Sequence, residues 1–297
     1  MVDTRLYSLI KIVETGSYTK AARQLSLSQP AVSQHIRQLE ETLHVKLFEH
    51  SRNKFQLTPE GEIVVQYARR MIALYNKMEE ALRDERDQIR SLTIGITHTA
   101  ESSAIIEALA AYISKFEGLN LRILTNTTAN LFAMLRNYEL DFAFMEGKAA
   151  DPSLSNMMLD TDCLVVAVPP DHALAGEGII TIEQLKKEKL ILRLPNSNTR
   201  NLFIASLASR NLSLDDFNVT MEIDSIATIK DLIQRGFGVS VLARSACIDD
   251  VKKGRLAALT VENLSMVREI NIVYPKSFEH QELLHGIVNK YNEMQRR

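Results

Sequence analysis

The chain has 297 residues, of which 45% are hydrophobic and 24% charged, with a formal net charge of −2. That apolar fraction excludes disorder over most of the length and suits about two globular domains. No run approaches the ~18 apolar residues of a membrane span, early charges such as Asp3, Arg5 and Lys11 break any apolar leader, and neither Cys163 nor Cys247 belongs to a metal-ligand pattern, so a cytoplasmic chain with no membrane partner, no metal and no cofactor is expected.

The small net charge conceals an asymmetry. Residues 1–57 carry eight Lys/Arg and five Asp/Glu, which leaves the remainder acidic and suits a polyanion partner at the N-terminal end. Leu6, Leu9, Ile10 and Val13 recur at helical spacing, and Gly16 follows as a stop. Thr19 is a candidate N-cap for a short helix from Lys20 to about Leu25, in which Ala21 and Ala22 let another helix approach closely. After a turn, Ser28 caps a third helix with Pro30 in its first turn, running to about Thr42. Val32, Ile36 and Leu39 form its inward face; Gln29, Ser33, Gln34, Arg37 and Gln38 form its outer one.

Two short helices, a tight turn and a polar second helix make a helix-turn-helix pattern. Gln pairs with adenine, Arg with guanine and Ser with either in the major groove, read first by the N-terminal end of the recognition helix. Ser28, Gln29, Pro30, Ser33, Gln34 and Arg37 are therefore the candidate DNA-reading set. Apolar and polar residues then alternate around a basic Ser51-Arg52-Asn53 turn, which predicts a β-hairpin wing with Arg52 and Lys54 against phosphates or the minor groove. A solvated polar face on an ordinary helix pair is the competing reading of the third helix.

The run from Gly16 to Gly61 carries A-A-x-x-L, S-Q-P-A-V-S, I-x-x-L-E, L-F-x-x-x-R and L-T-x-x-G. This closely resembles the winged helix-turn-helix of LysR-type transcriptional regulators. The resemblance implies a homodimer or homotetramer on double-stranded promoter DNA, with Gln29, Pro30 and Ser33 at the DNA-reading positions. Position 34, often Arg in relatives, is Gln here. RNA polymerase is a further candidate partner.

Thr58-Pro59-Glu60 predicts a helix start. Val64, Ala68, Met71, Tyr75, Met78 and Leu82 then step by four and three, the spacing of a coiled-coil seam through which two chains would pair. One helix packed on its own domain is the alternative. From residue 92 onward, β-like runs alternate with helical ones, which predicts a mainly parallel α/β sheet. LTIGIT, DFAF, CLVVAVPPDHALA, LRLPNSNTR and SIATIKDLIQRGFGVSVL extend the resemblance to the effector domain of the same family, which is similar to a two-lobed periplasmic binding protein (type 2). The expected division is 1–58 for DNA binding, 59–90 for a linker and dimerisation helix, and 91–297 for effector binding. Lobe I covers about 91–161 and 268–297, and lobe II about 162–267.

Ligands of open α/β sheets lie beyond the carboxyl ends of strands, where helix N-termini favour anions. Thr97, His98 and Thr99 end the first strand of this half. Asn196, Ser197, Asn198 and Thr199 form a polar turn ahead of another helix, with Arg193 and Arg200 nearby. These seven residues are the candidate contacts of a small-molecule effector, anionic or, given Glu101 close by, zwitterionic. Plain helix capping by the threonines and serine, and intramolecular ion pairs for the arginines, are the competing readings. No G-x-S-x-G elbow, HExxH or acid cluster is present, so no catalytic residue and no enzyme is expected.

Overall fold

Helix α1 (Thr4–Thr15) begins at Asp3, whose side chain accepts from the Arg5 amide, and ends at Gly16, which sits at φ 63° and donates to the Ile12 carbonyl. Only a residue tolerant of the left-handed region closes a helix this way without strain. The computed structural model describes residues 2–49, 56–87, 90–101 and 103–296. They form two compact units, Met1–Leu92 with Ala133–Leu140, and Thr93–Phe132 with Asp141–Arg297.

In the first unit, α2 spans Tyr18–Gln24 and α3 spans Gln29–Leu43. The cap of α2 is Ser17, which accepts from the Lys20 amide, and not Thr19 as the sequence suggested; Thr19 lies inside the helix. Either hydroxyl suits the role chemically, and the exit from Gly16 brings Ser17 to the extended conformation a cap requires. Ser28 caps α3 by accepting from the Ala31 amide. Leu9 and Ile12 of α1, Ala21 and Ala22 of α2, and Val32, Ile36 and Leu39 of α3 close a common core with Leu47, Phe48, Val65 and Ala68. Burial of each larger aliphatic side chain here contributes roughly 1.5–3 kcal/mol.

Phe48 and Leu57 pair antiparallel, and Glu49 donates to the Gln56 carbonyl, forming the base of the wing. Its tip, with Arg52 and Lys54, lies outside the described residues. Helix α4 (Pro59–Asp87) starts under the Thr58 hydroxyl, which accepts from the Gly61 amide. A Cβ on Gly61 would collide with the Leu47 carbonyl, so glycine is what lets α4 lie against the wing.

The seam expected on α4 needs correction. Ala68 is fully buried in the helix-turn-helix core and so closed to another chain, and half-buried Val64 packs against that core. Met71, Met78 and Leu82 of the expected seam are exposed, and Ile63, Tyr67 and Leu74 join them, each of the six between 48% and 65% exposed. At 3.6 residues per turn these fall within an arc of about 100°. Tyr75 is half-buried and lies off that arc.

The second unit is built on β1 (Arg90–Thr97), α5 (Ser103–Ile113), β2 (Leu119–Asn126), α6 (Thr128–Arg136), β3 (Phe142–Glu146), β4 (Leu154–Val168), β5 (Ile179–Ile180), α7 (Ile182–Lys186), β6 (Lys189–Leu192), α8 (Asn198–Ala208), β7 (Asn218–Glu222), α9 (Ile226–Gln234), β8 (Ser240–Ala243), α10 (Arg244–Lys252), β9 (Ala257–Val261), β10 (Val267–Pro275) and α11 (Gln281–Gln295). The strand order is β2-β1-β3-β10-β4-β9-β5, with β8 on β4, and β6 and β7 joined to β8 through Leu190 and Val239. The sheet is mixed, not mainly parallel. β1–β3, β5–β9 and β6–β7 pair in parallel, whereas β10 is antiparallel to β3 and β4, and β4 to β8 and β9.

The antiparallel pairs arise because two strands link the halves of the unit, β4 pairing in both and β10 with β3 and β4. β4 pairs with β10 as far as Cys163, then changes partners to β8 and β9 from Leu164 onward. Among the described strands, β4 is the one paired on both the β10 side and the β8-β9 side, and separate hydrophobic clusters lie on the β8-β9 side around Phe203 and around Ile229. No described helix is long and apolar enough to cross a membrane.

Candidate functional site

The outer face of α3 is open. Gln29, Gln34, Arg37 and Gln38 are exposed and Ser33 is half-buried. Gln29 Nε2 donates to Ser33 Oγ at 2.9 Å, one turn along the same face, and Arg37 pairs with Glu41 at 2.9 Å. Ser28 and Pro30 are also exposed at the helix start. The opposite side is fixed by core packing and by Ser8 Oγ against His35 Nδ1 at 2.7 Å. The face thus offers amide, hydroxyl and guanidinium groups on a rigid helix, the chemistry that reads base edges.

A second site lies in the other unit, where β1, β3 and the start of α8 converge. A cleft of about 200 Å³ is lined by Thr97, His98, Thr99, Asn126, Thr127, Thr128, Glu146, Arg193, Leu194, Asn196, Ser197, Asn198 and Asp224. This is below the ~300 Å³ where drug-sized pockets begin. Six of the seven candidate residues line it; Thr199 does not. Thr199 Oγ1 is buried, 3.5 Å from Thr99 Oγ1, and accepts from Arg268 at 3.4 Å. Lying in the first turn of α8, its side chain turns inward to the crossing strands rather than to the cleft.

The competing capping reading separates the hydroxyls. Thr97 Oγ1 caps the turn after β1 by accepting from the Ala100 amide, and it donates to Glu146 Oε1 at 2.9 Å. Ser197 occupies the N-cap position of α8 yet its side chain makes no capping bond. Asn198 Nδ2 reaches Thr128 Oγ1 at 2.6 Å and Glu146 Oε2 at 3.1 Å. The arginines also differ. Arg200 pairs with Glu222 at 2.7 Å and donates to the Arg193 carbonyl, away from the cleft. Arg193 lines the cleft at 3% exposure; Nη2 reaches Asp224 at 3.1 Å, while Nε and Nη1 have no partner. A buried donor without an acceptor costs about 1–3 kcal/mol.

Sequence reasoning missed Glu146 and Asp224. The available signal was position: each acid closes or follows a strand, β3 and β7, at its carboxyl end. No described group of three or more His, Cys, Asp or Glu is placed to hold a metal ion.

Two family models match the chain. The family described as "Bacterial regulatory helix-turn-helix protein, lysR family" matches residues 4–62, and "LysR substrate binding domain" matches residues 85–290. The HTH-type transcriptional regulator CysL of Bacillus subtilis is 29% identical over 93% of this chain and 91% of its own. The RuBisCO operon transcriptional regulator of Allochromatium vinosum is 30% identical over 89% and 86%. The structure of CbnR, a LysR family transcriptional regulator also solved in complex with its target DNA, superposes with a TM-score of 0.69 over 99% of both chains; at 17% identity it speaks for the fold alone. This chain belongs to the LysR family of DNA-binding transcriptional regulators.

Proposed function

We propose that residues 1–58 read a promoter sequence through Ser28, Gln29, Pro30, Ser33, Gln34 and Arg37, with Arg52 and Lys54 of the wing on phosphates. Helix α4, within 59–90, pairs two chains through the stripe from Ile63 to Leu82, so two recognition helices address one palindromic site. Residues 91–297 sense a small anionic or zwitterionic metabolite held between two lobes, about 91–161 with 268–297 and about 162–267.

The observation that carries the sensing reading is the pairing of an uncapped α8 N-terminus with a buried, underpaired Arg193 in one small cleft. Free helix amides and an unmet guanidinium both favour negative charge. Thr99 to Thr199, and Asn198 to Thr128 and Glu146, bridge the two walls, so a ligand there shifts the population of closed forms. A coupling of about 1–3 kcal/mol alters DNA affinity or bending roughly 5–150-fold.

The test is anisotropy of full-length protein on DNA selected from a random duplex pool, with and without metabolites that raise its Tm. The expected result is sequence-specific binding that a stabilising metabolite changes at least severalfold. Specific binding indifferent to every such metabolite leaves a constitutive DNA binder instead.

A further inference from the structure

Resting on that reading of the cleft, we infer that its ligand is a zwitterion of amino-acid type, with a carboxylate on Arg193 and the α8 amides and an ammonium group on Glu146 and Asp224. The charges on the walls argue for this. Arg193 and Glu146 are both buried, at 3% and 7% exposure, and both face the same cleft of about 200 Å³. Asp224 joins them from the rim, and Arg268 backs Glu146 from behind at 3.9 Å. Arg268 is nearer to Asp162, at 3.1 Å, so the two arginines stand against three carboxylates and Glu146 keeps only a distant cation.

A ligand carrying only negative charge gains at Arg193 but meets Glu146 in the same low-dielectric space. An amine alone gains at Glu146 but meets Arg193 and the positive end of α8. Only a molecule bearing both signs satisfies each wall. The atoms to receive it are free. Glu146 accepts one bond on each oxygen, from Thr97 and from Asn198, and a carboxylate has about four acceptor sites. Arg193 Nε and Nη1 are unpaired. The spacing is short, because Asn198, whose backbone opens α8, is the residue whose side chain touches Glu146. A carboxylate and an ammonium carried on one carbon suit two walls separated by one residue's side chain.

Full-length protein is titrated by thermal shift and calorimetry with the standard L-amino acids, with their deaminated acids and decarboxylated amines, and with inorganic sulfate and phosphate. The expected result is that an amino acid binds and that its deaminated and decarboxylated counterparts bind at least about tenfold more weakly. Glu146→Gln and, at the exposed rim, Asp224→Asn each weaken the amino acid but not the deaminated acid; their Tm without ligand controls for folding. A deaminated acid, sulfate or phosphate that binds as tightly as any amino acid, and is lost in Arg193→Gln, overturns the zwitterion while the anion-sensing cleft stands. No response to any probe overturns both.

Discussion

Arg268 on β10 donates to Asp162 on β4 at 3.1 Å, at the level where β4 exchanges β10 for β8 and β9 as its partners. Both side chains are nearly inaccessible. Asp162 also accepts from the Ser245 amide and hydroxyl at the start of α10, and Arg268 reaches Thr199 beneath the cleft. One ion pair thus ties both crossing strands to the elements behind the ligand site. Arg268→Met leaves two buried carboxylates, Asp162 and Glu146, without their cation. The expected loss is about 3–5 kcal/mol in urea unfolding. A loss below about 1 kcal/mol removes the pair from any structural role.

On α3, Gln29→Ala and Arg37→Ala change exposed side chains, so stability stays within about 0.5 kcal/mol. Affinity for the selected DNA falls by about 1–3 kcal/mol each, with relaxed preference at one base position. Arg52→Ala or Lys54→Ala weakens binding to all sequences and lowers the salt slope by about 1. Footprints unchanged in all four variants contradict the assignment.

On α4, Leu74→Glu with Met78→Glu places charge in the middle of the exposed stripe. Sedimentation is expected to show folded monomers whose operator binding is lost with their pairing. Ala68→Glu behaves differently: it charges the helix-turn-helix core and lowers Tm directly. A dimer unaffected by the double substitution places the chain–chain contact elsewhere.

Cys247 is fully buried, and burial pushes its thiol up to about 12, Lys230 offsetting a little and Asp250 and Asp162 adding to it. In the folded protein it stays a thiol at pH 8 and resists thiol reagents, whereas half-buried Cys163 reacts first. The sign for stability follows. An unfolded thiol ionises near 8.5 and the folded one only near 12, so stability declines as pH rises across that interval. Rapid modification of Cys247 in native protein would point to a redox role.

Asp250 is buried between Lys230 at 2.7 Å and Arg255 at 2.5 Å. Burial alone raises a carboxyl's pKa, but the two cations outweigh it and hold Asp250 below the ordinary value. Its contribution is therefore complete above the unfolded value of ~3.9 and fades as pH falls through the lower folded value. Asp250→Asn is expected to cost about 1–3 kcal/mol at pH 7. The gap from the parent narrows below about pH 4. A gap independent of pH assigns the loss to shape and not to charge.

Local rules made much of this legible. Ser28, Pro30 and Gly16 punctuate their helices through chemistry contained within a turn or two, and Thr181 with Gln184 forms the capping box its spacing predicts. β5, β9 and α10 leave little trace in the sequence, because they are short or lack a periodic pattern. The expected α4 seam differs from the exposed stripe at its N-terminal end for a definite reason. Val64 with Ala68, and Ile63 with Tyr67, are both apolar pairs at helical spacing, and only the packing of Leu39, Leu47 and Val65 decides which pair is covered.

Sequence alone determined what depends on neighbours along the chain: the cap of α3 at Ser28 and the stop of α1 at Gly16, the polar face from Gln29 to Gln38, the base of the wing, and the family pattern. The tertiary structure decided what depends on distant residues meeting. It turned Thr199 toward Arg268, left Arg193 underpaired, and brought Glu146 and Asp224 to face it from the ends of β3 and β7. Burial and charge pairing are properties of the folded surface, and residues 146, 193 and 224 share a site only because two long strands bring their separate walls together.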